Sequence, residues 1–277
     1  MLKQARLTLR VLYPSMKWLL KSFKLLRVLS HIVLGMLLAG IAFSRVFKHL
    51  FPQLPPRIVQ WWSAGLCALL NVRVKVSGEA AKTTVLYVAN HISWIDIFAL
   101  LSEGYVRFVA KQEVKSWVAL GWLSARSGTL FVRRGQFEAA ALASDVMAKS
   151  LCAGDRILFF PEGTSTDGTA LKRFHARMFQ AAIQTELPIQ PIALQYPTAT
   201  GLNQVVPFIG DQGFLSHLWQ VLGEQEIIAQ LHYCPVIQSV GLRRRDLADQ
   251  AYISVAQVLF PDNLSLLEPQ RKEAYYP

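Results

Sequence analysis

Val85-Leu86-Tyr87-Val88-Ala89-Asn90-His91-Ile92-Ser93-Trp94-Ile95-Asp96 is the stretch on which the reading of this chain turns. Its first five residues are apolar, the pattern of a buried strand. Asn90 and His91 then fall where that strand gives way to a turn or helix, the edge at which α/β folds gather functional residues. A neutral histidine there can take a proton from a substrate hydroxyl. Asp96 is the carboxylate that could fix its tautomer and stabilise the imidazolium that forms. Five residues turn a helical wheel by about 500°, leaving the two side chains about 140° apart. The pair therefore meets only if His91 lies in the turn before the helix. The bland alternative is a stray histidine beside a helix-entry aspartate.

Outward from this stretch, short β-branched or aromatic runs recur at residues 74–76, 107–110, 129–132, 157–160, 189–194 and 227–233. Helical patterns separate several of them, notably at 136–152 and 174–184. Strands alternating with helices predict an α/β domain with a central, largely parallel sheet flanked by helices. A last helix is expected from Asp246 to Leu259, with Asp246 as its cap.

The charge is unevenly spread. The chain of 277 residues carries a net +11, yet residues 1–78 hold twelve Lys or Arg and no Asp or Glu. The remainder is nearly neutral. A basic lead of this kind meets either nucleic acid or anionic lipid. Here it is interleaved with Leu, Val, Tyr and Trp, which favours lipid and excludes a nucleic-acid partner. Residues 28–44 form an apolar stretch at the short end of the roughly 17–25 residues that cross a bilayer. Pro52, Pro55 and Pro56 interrupt the chain, and residues 58–72, with Trp61 and Trp62, form a second apolar stretch. Residues 1–72 thus read as a two-helix anchor dipping into one leaflet, ahead of an α/β domain over 73–277. A single span and a buried helical hairpin are the alternatives. Cys67, Cys152 and Cys234 lack the spacing of a zinc site or disulfide framework and fit a reducing compartment.

Three further segments place polar groups at strand ends. Lys111 closes the run at 107–110. Arg134 follows the run at 129–132, where a guanidinium could clamp a phosphate in a bidentate fork. The run at 157–160 stops abruptly in Pro161-Glu162-Gly163-Thr164, where Gly163 permits positive φ and Glu162 and Thr164 offer polar groups.

In combination these segments resemble the glycerolipid acyltransferases, the 1-acylglycerol-3-phosphate acyltransferase group. Residues 90–96 match its N-H-x4-D motif, 128–134 its G-x-x-F-x-x-R block, 160–165 its F-P-E-G-T-x-S block and 188–192 its last proline-containing strand, in the family's order. The resemblance implies transfer of a fatty acyl group from an acyl-CoA or acyl-carrier-protein thioester to the hydroxyl of a lysophosphatidate. No cofactor or metal is expected. It implies His91 and Asp96 as the catalytic pair, with Arg134, Glu162, Gly163, Thr164 and Lys111 binding the acceptor. It also implies an enzyme held at the cytoplasmic side of an inner membrane. One segment departs from the pattern: where many members carry Phe-Lys-x-Gly, this chain has Phe174-His175-Ala176-Arg177. That variation, together with Gly163-Thr164-Ser165-Thr166-Asp167-Gly168, is more similar to the lyso-ornithine lipid acyltransferase branch, whose acceptor hydroxyl has no phosphate beside it. A metal hydrolase using His91, Asp96 and Glu162 lacks a second histidine at ligand spacing. A non-catalytic lipid-binding protein would leave the dyad idle.

Overall fold

A computed structural model describes the backbone of residues 2–117, 119–132 and 137–262, and side chains from residue 18 onward within those ranges except 137–140. Helix α1 (Leu2–Ala42) runs unbroken through the basic lead and the apolar stretch. Ser44 ends it by capping α2 (Arg45–Leu50), its Oγ accepting from Phe47 N–H at 3.3 Å. Pro55 and Pro56 sit in the first turn of α3 (Leu54–Leu69), where a missing N–H costs nothing. The prolines thus start a helix as well as interrupting the chain.

The two long helices are latched reciprocally. Trp62 Nε1 donates to His31 O at 2.8 Å, His31 Nε2 lies 2.8 Å from Trp62 O, and the rings stack at 5.0 Å. Gly35 makes this approach possible, because a Cβ there would lie 2.5 Å from Trp62 Nε1. Residues 18–42 of α1, with a mean hydropathy of 2.0 over their most apolar window, are long and apolar enough to cross a membrane. The second helix of the anchor expected from the sequence corresponds to α3. Trp62, Ser63, Leu66 and Cys67 on α3 are buried, and Trp62 and Leu66 belong to the same core as Tyr87 and Ala89. What the fold shows is one long apolar helix plus a second helix stitched into the α/β core.

The sheet begins with β1 (Val72–Gly78) and β2 (Leu86–Ala89), followed by α4 (Ile95–Glu103), β3 (Arg107–Lys111), α5 (Leu120–Arg126) and β4 (Leu130–Val132). Next come α6 (Phe137–Cys152), β5 (Ile157–Phe159), α7 (Gln180–Thr185) and β6 (Ile189–Gln195). The small hairpin β7 (Pro197–Thr198) and β8 (Gly201–Leu202), then α8 (Phe214–Val221), β9 (Ile227–Tyr233) and α9 (Arg244–Leu259) complete the described chain. Seven strands pair in the order β1-β9-β6-β2-β5-β3-β4. Five of them, β6, β2, β5, β3 and β4, run parallel; β9 joins β6 antiparallel, and β1 follows β9. All seven expected strands are present, and "largely parallel" describes the sheet.

The apolar runs are continuous because both sheet faces are covered. On β2, Tyr87 and Ala89 face the core shared with α3 and α4, while Leu86 and Val88 face the core shared with α6, α7 and α9. Leu158 and Ile157 divide in the same way on β5, as do Ile192 and Ile189 on β6. Two local expectations change. The helix expected over 174–184 is split into a 3-10 turn (Ala176–Phe179) and α7. Helix α9 starts at Arg244 rather than at Asp246: Asp246 lies in its first turn and accepts from the Arg243 guanidinium at 2.8 and 3.0 Å.

Candidate active site

Strand β2 lies between β6 and β5, and its carboxyl end delivers Asn90 and His91 to the sheet edge. Asn90 pins that end: its side chain donates to Leu194 O at 2.8 Å and accepts from Leu194 N–H at 2.7 Å. His91 sits in the turn before α4, as the spacing argument requires, and Asp96 lies in the first turn of that helix. His91 Nδ1 is 2.7 Å from Asp96 Oδ2. The same oxygen accepts from the backbone N–H groups of Ile92 (2.7 Å) and Ser93 (2.9 Å). Asp96 is wholly buried, whereas the His91 side chain keeps 21% of its surface exposed. With Nδ1 committed to the carboxylate, Nε2 is the nitrogen left for a substrate.

Glu162, after β5, supports the histidine from below. Its Oε1 accepts from His91 N–H at 2.8 Å and its Oε2 from Lys172 N–H at 2.8 Å, so one carboxylate ties the turn after β2 to the loop after β5. Glu162 is 3% exposed. Burial raises its pKa from 4.5 to about 7, against the two backbone donors and the nearby His91, which lower it. Gly163 follows with φ 74°, the left-handed conformation expected of that turn. Thr164 is exposed at its tip, and Thr166 N–H closes the loop onto His91 O at 2.8 Å. Phe160 stacks on His91, 4.0 Å between centroids and 11° between planes, and stacks on Phe108 in turn.

Phe108 and Trp94 also line an apolar cavity of about 140 Å³. Its walls come from α1 (Leu38), α3 (Val59, Trp62), α4 (Phe98, Leu101) and α5 (Leu123). Lys111 is exposed at the carboxyl end of β3, beside Val132 of β4 in register. Arg134 lies outside the described residues. Among the described residues no group of three or more His, Cys, Asp or Glu is placed to hold a metal ion.

Sequence reasoning missed two groups. Tyr196, directly after β6, donates its hydroxyl to Asp96 Oδ1 at 2.7 Å. His217 on α8 accepts from Trp94 Nε1 at 2.9 Å, and its Nε2 reaches Val205 O at 2.9 Å and Pro207 O at 3.1 Å. His217 therefore carries its proton on Nε2. Burial holds its pKa below 6.5. A polar residue following a strand was the available signal for Tyr196; nothing in the spacing linked His217 to Trp94.

A base–carboxylate pair linked through the stacked rings of Phe160 and Phe108 to an apolar cavity suits attack by a hydroxyl on an acyl group, and likeness to known proteins points the same way. The Acyltransferase family profile matches residues 73–195. A lyso-ornithine lipid O-acyltransferase of Pseudomonas aeruginosa is 40% identical over 204 residues, 74% of this chain and 79% of that protein. A 1-acyl-sn-glycerol-3-phosphate acyltransferase of Neisseria meningitidis is 30% identical over 214 residues, 76% of this chain and 84% of that one. The crystal structure of the 1-acyl-sn-glycerophosphate acyltransferase PlsC from Thermotoga maritima shares the fold. Its TM-score is 0.58 at 17% identity, over 85% of this chain and 96% of that one. This chain belongs to the lysophospholipid-type acyltransferase family and is an acyltransferase.

Proposed function

We propose that the enzyme esterifies the free hydroxyl of a lyso-ornithine lipid with a fatty acyl group taken from an acyl-CoA or acyl-carrier-protein thioester. His91 Nε2 removes the hydroxyl proton while Asp96 holds Nδ1–H and balances the imidazolium. The freed oxygen attacks the thioester carbonyl. The tetrahedral adduct collapses with loss of a thiolate, which needs little acid help because its thiol has a pKa of about 8.5. The imidazolium then returns its proton to that thiolate. The acyl chain lies in the cavity walled by Trp94 and Phe108. Gly163, Thr164 and Lys111 face the acceptor, with Arg134 as its anionic-group partner. Glu162 contributes by fixing the loop that carries Gly163, since both its oxygens hold backbone N–H groups.

The observation that carries the acceptor assignment is the segment Phe174-His175-Ala176-Arg177, in a chain 40% identical to a lyso-ornithine lipid acyltransferase. His175 N–H is bonded to Pro161 O at 2.9 Å, so this residue sits beside the Glu162 turn with its side chain exposed. An imidazole there, where glycerophosphate enzymes have an ammonium, suits an acceptor without a phosphate. The Neisseria relative keeps lysophosphatidate as the second reading.

For the membrane, α1 exposes Leu19, Phe23, Leu26, Leu37 and Ile41, and Trp18 and Trp61 are also exposed. That surface, with the bases of residues 1–48, suits a helix lying in the cytoplasmic leaflet of an inner membrane. The deciding experiment gives the purified enzyme a radiolabelled acyl thioester with lyso-ornithine lipid, lysophosphatidate or another lysophospholipid, with His91→Ala as control. A tenfold preference in kcat/KM for lysophosphatidate would reverse the acceptor assignment. Full turnover in a folded His91→Ala variant would end the mechanism.

A further inference from the structure

The carboxylate of Asp96 is served unevenly. All three donors from its own loop, His91 Nδ1–H and the backbone N–H groups of Ile92 and Ser93, converge on Oδ2. Oδ1 receives a single donor among the described residues, the hydroxyl of Tyr196 at 2.7 Å. That donor comes from a position 100 residues away, at the end of β6 on the other side of β2. Both side chains are buried, so no solvent competes for the bond.

We propose that Tyr196 is a positioning residue of the dyad, holding the plane of the Asp96 carboxylate and keeping it anionic so that His91 presents Nε2 as the base. This rests on the role given to His91 above. The local donors alone would leave Oδ1 as a buried, unpaired anionic oxygen, which raises the free energy of the charged form. A hydroxyl aimed at a carboxylate is a strong, charge-assisted bond. Burial, and then the charge of Asp96, hold the Tyr196 phenol well above its ordinary pKa of 10, so it stays a donor. The backbone secures the ring as well. Tyr196 O accepts from Asn203 N–H at 2.8 Å, closing the β7–β8 hairpin, and the ring is among the largest fully buried side chains.

The groups facing this chain of bonds are few. Asp96 faces Tyr196 and His91; Glu162 reaches His91 through its backbone N–H and acts on Asp96 by charge; the buried Cys67 on α3 is near enough to influence Tyr196 electrostatically. Loss of the hydroxyl leaves the Asp96 charge less compensated. The dyad then holds its proton more tightly, whether that proton rests on His91 or on Asp96. The acid limb of the rate profile moves to higher pH.

The test is Tyr196→Phe in the full chain, in detergent micelles, with a palmitoyl thioester and lyso-ornithine lipid. The ring and its packing are kept and only the oxygen is lost. Expected are a fall in kcat of about tenfold, KM for both substrates within about twofold of wild type, and an acid limb raised by roughly half to one pH unit. Because Glu162 titrates near neutrality, 15N spectra of labelled histidines, with the His91 signals identified by their loss in His91→Asn, separate any movement of the dyad from that of Glu162. Wild-type kcat with an unmoved limb and unmoved His91 signals overturns the proposal and reduces Tyr196 to packing. Should the Phe variant not fold, 3-fluorotyrosine at position 196, a stronger donor of nearly the same shape, must move the limb to lower pH; an unmoved limb overturns the proposal equally. Activity persisting in His91→Ala would instead refute the role of His91, a separate outcome.

Discussion

Glu162→Gln separates the effect of the buried charge from the effect of the hydrogen bonds that hold it. In the folded protein Glu162 takes up its proton around pH 7, against an ordinary value of 4.5. Between those values the folded state binds a proton that the unfolded chain does not. The stability contributed by that proton is therefore complete below about 4.5 and is lost as the pH rises through about 7. A rise from 4.5 to about 7 corresponds to about 3 kcal/mol. The amide of Gln cannot titrate, but its NH₂ must face one of the two backbone donors, His91 N–H or Lys172 N–H. Leaving that donor unpaired costs about 1–3 kcal/mol at every pH. At pH 4.5–5 the variant should therefore melt below the wild type. By pH 8 the wild type has lost about 3 kcal/mol relative to it, and the two curves meet or cross. At roughly 2–4 °C per kcal/mol, the difference in Tm changes by about 6–12 °C across the range. Tryptophan fluorescence of the detergent-solubilised protein from pH 4.5 to 8 reads this directly. Comparing wild type with variant cancels groups that titrate in both, His217 among them. A Tm difference that stays constant with pH would refute the charged, buried state assigned to Glu162.

Asp96→Asn removes the acceptor of His91 Nδ1–H and of two backbone amides; kcat should fall by about 10³–10⁴-fold, read in the acyl-transfer assay with the fold checked by circular dichroism. His217→Phe deprives Trp94 Nε1 of its acceptor and should cost about 1–3 kcal/mol in a denaturant titration. Because the folded protein keeps His217 neutral below its ordinary 6.5, wild-type stability from this group is present above pH 6.5 and is lost as the pH falls below it; the variant should lack that slope. Lys21 and Lys24 on α1 donate to Trp219 O (3.1 Å) and Leu222 O (3.3 Å) at the end of α8. Replacing either by Met keeps the aliphatic stem and should lower Tm by roughly 2–4 °C, with no change in KM.

Strands β2, β5 and β6 could be read from sequence because each is buried on both faces and so presents an unbroken apolar run. The same burial hid other features. An apolar run has no direction, so nothing in residues 227–233 marked β9 as antiparallel to β6. Helices α4, α5 and α8 are 9, 7 and 8 residues long, too short for a 3.6-residue period to stand out. Spacing likewise found the part of the site that is local. His91 and Asp96 are five apart, and the requirement that His91 precede the helix is the geometry observed. Glu162 was assigned to the acceptor by family resemblance; spacing held no sign that its two oxygens also take the backbone N–H groups of His91 and Lys172. Tyr196 was passed over because 100 residues separate it from its partner. Strand order unites the two. β5 and β6 flank β2, and each sends one residue from its carboxyl end to the pair that β2 delivers: Glu162 to the backbone of His91, Tyr196 to the carboxylate of Asp96. A dyad at the end of a central parallel strand is thus held from both neighbouring strands, and the place to look for its supports is the first polar residues beyond each of them.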